Sequence, residues 1–206
     1  MKNSSLRNGL VVFQFVISIV MILSSLAVYK QLTYMREKNM GFDKENVIRL
    51  IHTWSLGKNA KAFKDQVTSH PEFTNASFAN ELPPYVVWSK TFRKSGSEQD
   101  YLLQASEVDV DHLQTMNYTL VEGGFFSRDF RWDTAAVVIN EAAFRQMGLT
   151  SIENQTIYNY STAPPIPMKI IGVIKDFNYE SLRHVVRPLV LLPSAERNGV
   201  LAIRVT

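Results

Sequence analysis

From Leu10 to Val28 the chain reads LVVFQFVISIVMILSSLAV, 19 residues without a charge, a proline or a glycine. An α-helix needs ~20 apolar residues to cross a hydrocarbon core of roughly 30 Å. A helix buried in a soluble domain rarely stays uncharged over that length, so the run reads as a membrane-spanning helix. The competing reading is a cleaved signal peptide, for which Ser25-Leu26-Ala27 offers a small-x-small site. Against it, the run is longer than the roughly 7–15 residues of a signal core. Helical patterning also continues past the site.

That continuation shapes the rest of the N-terminal segment. Val28, Leu32 and Met35 recur at helical spacing, with Lys30, Gln31, Glu37 and Lys38 largely elsewhere on the wheel. Gly41 suits the left-handed residue that ends a helix. The spacing predicts one helix from Ser5 to Met40, about 54 Å long. The membrane takes up part of that length, and a stalk of roughly 20 Å extends beyond it. Within the span, Gln14, Ser18 and Ser25 share a face. Polar side chains in lipid favour a partner helix, which marks these three as a helix-packing face; simple tolerance of a few polar groups is the bland alternative.

The charge of the chain divides unevenly. Residues 1–40 carry Lys2, Arg7, Lys30, Arg36 and Lys38 against Glu37, while residues 41–206 hold 17 basic and 18 acidic side chains. The basic surplus therefore belongs to the flanks of the apolar run, and the remainder lacks the electrostatic footprint of a nucleic-acid binder. Charges lie on both sides of the run, so counting them does not orient it.

Beyond the stalk, the apolar content suffices for a packed core, and 9 Gly and 8 Pro without a period exclude collagen-like chains. Strands are expected at Glu45–Ile51, Phe73–Ala79, Ala135–Ile139, Met168–Ile174, Pro188–Leu192 and Val200–Val205. A hairpin is expected from Val86–Arg93 and Tyr101–Val110 across Lys94-Ser95-Gly96-Ser97. Short helices are expected at Lys58–Ser69, with Ala62, Phe63 and Val67 inward; after Asp109 as cap, through Met116; and at Glu141–Met147, capped by Asn140 and ended by Gly148. Ser181–Val186 suggests one further turn, and Ser161–Pro167 a loop. About eight strands with three short helices in no regular alternation predict an α+β fold with a mixed sheet. The domains are 1–41, helix and stalk, and 42–206, the folded part. Val200–Val205 runs into the terminus and is expected to lie unpartnered there, as in a chain cut from a longer one.

No catalytic, cofactor-binding or metal site emerges. Cys is absent, and there is no GxxxxGK[ST], HExxH or GxSxG. His52, His70, His112 and His184 stand apart. Glu107, Asp109 and Asp111 alternate, but as a calcium loop they lack Gly at the sixth position and Glu at the twelfth; they read as a solvated acidic edge. Gly123-Gly124 and Gly148 read as turn glycines, and Trp54, Trp88 and Trp132 as core or interface residues. The sequons at Asn3, Asn75, Asn117, Asn154 and Asn159 matter only in a eukaryotic secretory protein.

The segment Leu6-Arg7-Asn8-Gly9-Leu10-Val11-Val12-Phe13-Gln14-Phe15-Val16-Ile17-Ser18 resembles the opening membrane helix of MacB/FtsX-type ABC transporter permeases, particularly the large Bacteroidota forms. The match runs on through Tyr29-Lys30-Gln31-Leu32 to Gly41-Phe42-Asp43-Lys44. Three later stretches resemble that family's periplasmic core domain: Val137 to Ala143 with Met147-Gly148, Ile170 to Asn178, and Ser181-Leu182 with Arg187-Pro188-Leu189. Within them Asn140, Glu141, Gly148, Gly172, Asp176, Phe177 and Pro188 are the family-motif structural positions. The chain departs from the pattern at Gly123-Gly124, where the family has Gly-Arg, and at Ile152-Glu153-Asn154, where it has Ile-Gly-Lys. The family also continues with more periplasmic chain and three further membrane helices.

The resemblance implies an inner-membrane protein with its N-terminus in the cytoplasm and its domain in the periplasm. It implies no bond chemistry in this chain, no cofactor, and ATP hydrolysis on a separate ATP-binding cassette subunit. The expected partners are that subunit, a second permease copy in a dimer, a periplasmic adaptor and membrane lipid. Two other readings stay open from the residues: a membrane-anchored extracytoplasmic sensor binding a small ligand, and a pilin-like subunit. The last is weakest, because pilins carry an acidic residue near the helix start, where Gln14 is the nearest polar group.

Overall fold

The structure, a computed structural model, describes residues 3–37, 46–83, 86, 88–127, 135–177, 185–194 and 199–206. The chain divides into two units, Met1–Asn39 and Met40–Thr206. The first holds one helix, α1, Asn3–Glu37. Leu10, Phe13, Phe15, Ile22 and Leu26 are all more than half exposed along it. A helix that leaves such side chains uncovered needs lipid or another helix around it. Its length agrees with the expected rod; the expected last turn and Gly41 lie outside the described residues.

The second unit follows in the order β1 (Val47–Ile51), a 3-10 segment (Thr53–Asn59), α2 (Ala60–Thr68), β2 (Phe73–Ala79), β3 (Ser89–Lys94), β4 (Asp100–Val108), α3 (His112–Met116), β5 (Leu120–Gly123), β6 (Ala136–Asn140), α4 (Glu141–Gln146), β7 (Thr156–Asn159), β8 (Ile166–Ile174), β9 (Leu189–Pro193) and β10 (Val200–Val205). This is the expected α+β class with a mixed sheet. The pairings of β3, β7, β8, β6 and β9 continue until β9 meets β4 in parallel, and β4 in turn pairs β3. Six strands thus form a closed ring, which leaves no free edge among them. All six contribute to one core: Phe92 from β3, Leu103 from β4, Ile139 from β6, Ile157 from β7, Ile170 from β8 and Val190 from β9. Ala143 of α4 and Met147, just after it, join it.

A three-stranded wing, β1-β10-β2, continues from the ring through one register pair, Ala79 with Val108. Alternation along its strands gives it two buried faces. Ala76, Phe78, Leu201 and Ile203 pack under α2, while Ala79 and Ala202 join a second cluster with Met116 of α3 and Tyr118. The last strand is therefore not unpartnered, as the sequence reading had it: β10 is the middle strand of the wing, bonded to β1 and β2.

Several local expectations also change. Ala62 is exposed and Ala60 holds the buried position instead. Asp111, not Asp109, precedes α3, and makes no side-chain cap bond. The strands β5 and β7 were missed because each is only four residues long. Ile166-Pro167 belongs to β8, not to a loop. Trp54 and Trp88 are 60% and 63% exposed, which removes both from the core. Ser181–His184, most of the expected extra turn, and Trp132 lie outside the described residues.

The glycine pair 123-124 is more than a turn. Gly123 has φ +73°, and a side chain there would strike the Ile171 carbonyl; a side chain on Gly172 would strike the Gly124 carbonyl. Gly124 N–H donates to Ile171 O at 2.9 Å, so β5 lies flush on β8 where the register shifts. Backbone-to-backbone contact of this kind cannot relax by a rotamer change. Gly172→Ala is expected to lower stability by about 3 kcal/mol, as overpacking against fixed atoms does. Gly96→Ala, in open space at a turn with φ +76°, should cost only about 1 kcal/mol. Urea midpoints of the two variants, read by tryptophan fluorescence, check the ranking.

Candidate functional site

The family-motif positions converge on the start of α4. Asn140 is fully buried at the end of β6. Its Oδ1 accepts from Ala143 N–H and Leu189 N–H, both at 2.9 Å, and its Nδ2 donates to Arg187 O at 2.9 Å. One carboxamide thus caps α4 and fixes the entry into β9. Beside it, Asp176 Oδ1 accepts from Ala142 N–H at 2.8 Å, and Glu141 Oε2 accepts from Asp176 N–H at 2.9 Å. Two segments distant in sequence therefore satisfy each other's backbone donors, in the reciprocal manner of a capping box. Asp176 Oδ2 also pairs with Arg145. Pro188 O accepts from Gln104 N–H of β4 at 3.0 Å, which ties the junction into the ring. Phe177 is buried and stacks on Tyr118 with centroids 4.5 Å apart. Gly148, φ +62°, ends α4 with its N–H on Arg145 O, and Gly172 lies elsewhere, against β5. The carboxamide of Asn140 and the carboxylates of Glu141 and Asp176 are thus engaged in joining segments of this junction.

In α1, Ser18 Oγ donates to Gln14 O and Ser25 Oγ to Met21 O, each at 2.9 Å. The serine protons are satisfied within the helix, and the exposed Gln14 amide is the stronger handle for a second helix.

A polar cluster that the sequence reading missed lies where the wing meets the ring. β4 ends at Val108, so Glu107, Asp109 and Asp111 do not share a strand face. Lys64 of α2 reaches Asp109 Oδ2 at 2.6 Å and Asp111 Oδ2 at 2.7 Å, with side-chain exposures of 13%, 14% and 23%. Asp109 Oδ2 also accepts from Phe78 N–H of β2 at 2.8 Å, and its Oδ1 from Asp111 N–H at 3.1 Å. Burial pushes the Asp109 carboxyl up, against the pull of Lys64. Glu107 pairs with Lys90 at 2.9 Å. The solvated acidic edge is thus a lysine-bridged pair of acids. One signal was present in the sequence: Lys64 falls on the same helix face as Ala60, Phe63 and Val67, and a lysine among buried positions calls for an acid.

Next to this cluster Ser77 Oγ and His112 Nδ1 stand 2.6 Å apart, both fully enclosed. A serine and a histidine without access for a substrate are a satisfied core pair, not a nucleophile and its base. Among the described residues no group of acids and histidines could hold a metal ion.

No protein-family model matches the sequence, and no curated protein matches it. The fold is similar to solved structures. The periplasmic region of MacB from Actinobacillus actinomycetemcomitans superposes with a TM-score of 0.56 at 10% identity, covering 82% of this chain and 78% of that one. The extracellular domain of the noncanonic ABC-type transporter YknZ from Gram-positive bacteria gives 0.53 at 15% identity, covering 78% and 83%. The second unit has the fold of these transporter domains, as the resemblance in sequence implied.

Burial, with the Lys64 charge nearby, pushes the His112 imidazole down to about 3 from the ordinary 6.5. Below pH 6.5 the unfolded chain takes up a proton that the folded chain refuses, so stability is full above 6.5 and is lost as pH falls toward about 3. His112→Gln should remove about 1.4 kcal/mol per pH unit from the slope of stability in that window. Urea unfolding of parent and variant at pH 5.0, 5.5, 6.0 and 6.5 measures the difference.

Proposed function

We propose that the chain is a permease subunit of an ABC transporter. Motion driven by ATP hydrolysis on a separate ATPase subunit passes through α1 to the extracytoplasmic domain, for export or signalling across the membrane. One observation carries this reading: an apolar helix long enough to span a membrane leads along the chain into a domain with the fold of MacB and YknZ extracytoplasmic regions. The domains are then 1–41, span and stalk, and 42–206, periplasmic, in the inner membrane with the N-terminus cytoplasmic. The partners are the ATP-binding cassette subunit, a second permease copy, a periplasmic adaptor and membrane lipid. Among the described residues the polar side chains around Asn140 and around Lys64 join separate segments of the domain, which suits transmission of movement and favours the permease over the sensor.

Gln14, Ser18 and Ser25 serve as the face on which α1 packs against another helix of the assembly. Leu at all three should leave insertion intact and impair assembly, chiefly by removing the interhelical bond of Gln14, worth ~0.6 kcal/mol. Crosslinking yield of the dimer measures it, and an unchanged yield would sink this face.

The stalk must stay helical for ATP hydrolysis to reach the domain. Thr33→Pro removes a backbone donor and clashes one turn back, costing ~3 kcal/mol or more of helix stability. ATPase activity of the co-purified partner should survive while complementation of a deletion strain is lost. Full complementation by an inserted, folded Thr33→Pro chain would make the stalk a passive tether.

A further inference from the structure

We infer that Lys64, Asp109 and Asp111 form a latch that holds the wing to the ring and regulates the passage of stalk motion into the ring; the direction of that motion rests on the permease reading. The argument follows the connections. Along the chain α1 is followed by β1, and among the described residues β1 pairs only with β10. β10 hands over to β2, and β2 meets the ring through Ala79 and Val108. A displacement arriving at β1 therefore crosses this seam on its way to the ring, beside the shared apolar core and the crossover from β9 to β10.

The seam is strapped on both sides of its one register pair. Asn80 Oδ1 accepts from Ser106 Oγ at 2.9 Å and Glu107 N–H at 2.8 Å. On the other side Asp109 N–H donates to Phe78 O at 3.0 Å, and the Asp109 carboxylate stands in for the next backbone acceptor by taking Phe78 N–H. The strand ladder stops here, so a side chain continues it. Lys64 then crosses from α2, on one face of the wing, to the loop that leads to α3, on the other. One ammonium holds α2, the β2 edge and the exit of β4 together.

This contact can open where a ladder cannot. It consists of a single flexible side chain and two carboxylates at the margin of the core, not of a row of backbone bonds. Removing the ammonium leaves two acids facing each other at low exposure, which repel. The wing is then held to the ring by the Asn80 and Phe78 bonds and the shared core without its charged strap, while the ring's own hydrogen bonds are untouched.

The test uses the full chain in lipid nanodiscs. Hydrogen exchange is compared for the parent, Lys64→Met, and the triple variant Lys64→Met/Asp109→Asn/Asp111→Asn, which keeps an acceptor for Phe78 N–H and removes both carboxylate charges. Both variants should show exchange at least about tenfold faster in α2 and β2, with β6 and β8 unchanged. Unchanged exchange in α2 and β2 overturns the latch. So does an equal rise in β6 and β8, which is global loss of stability. The absence of Cys permits a second measurement with spin labels at Lys61→Cys on α2 and Leu102→Cys on β4, both exposed. Their distance distribution should broaden when Lys64 is replaced, and an unchanged distribution counts against the latch. Local opening in a chain that recruits no ATPase supports the latch and separates its fate from that of the permease reading.

Discussion

The parallel pairing of β4 with β9 is the constraint on which the rest of the domain depends. It runs from Gln104–Leu189 to Val108–Pro193, and without it the sheet would be open, with free edges on both strands. Closure explains why the ring can stay small and still bury large apolar side chains, with Phe92, Leu103, Ile139 and Ile157 at zero exposure. Each such side chain contributes about 1.5–3 kcal/mol when it leaves water. Closure also explains the demand on Asn140. The strand β9 has to enter the ring beside both β4 and β6, and the Asn140 carboxamide fixes the first residues of that entry while starting α4 on the other side.

Sequence reading went furthest where one principle acted alone. The long apolar helix followed from length and the absence of charge, and Asn140 followed from its place between a β-branched run and a helical one. Phe73–Ala79 and Val200–Val205 were placed to the residue, because alternation and flanking breakers agreed. It failed where partners distant in the chain decide the outcome. β5 and β7 are too short to show a period, and each owes its existence to β8, which they share end to end along one edge. Asp109 looked like a solvated acid because nothing near it in sequence announces Lys64. Gly172 was marked by resemblance alone; its physical reason, the backbone of Gly124 lying against it, is visible only in three dimensions.

The placement of polar groups bears on what the molecule can do. Asn140, Glu141 and Asp176 share one junction, and Lys64, Asp109 and Asp111 another, and both lie where separate segments of the domain are joined. Chemistry of this sort fastens pieces together and decides which of them can move.

The position of β10 between β1 and β2 has a consequence for how the protein comes to be folded. Val47 pairs with Arg204, and Phe73 with Val205, so two early strands wait for a late one. Before β10 is made, β1 has no ladder partner among the described residues and β2 has only its single pair with β4, so Phe78 lacks its partner Leu201. Contacts so remote along the chain form slowly, since the loop closure that precedes them is costly in entropy. Nascent chains of this topology are open to aggregation at that stage, which makes the arrival of β10 the step that covers β1 and β2 together.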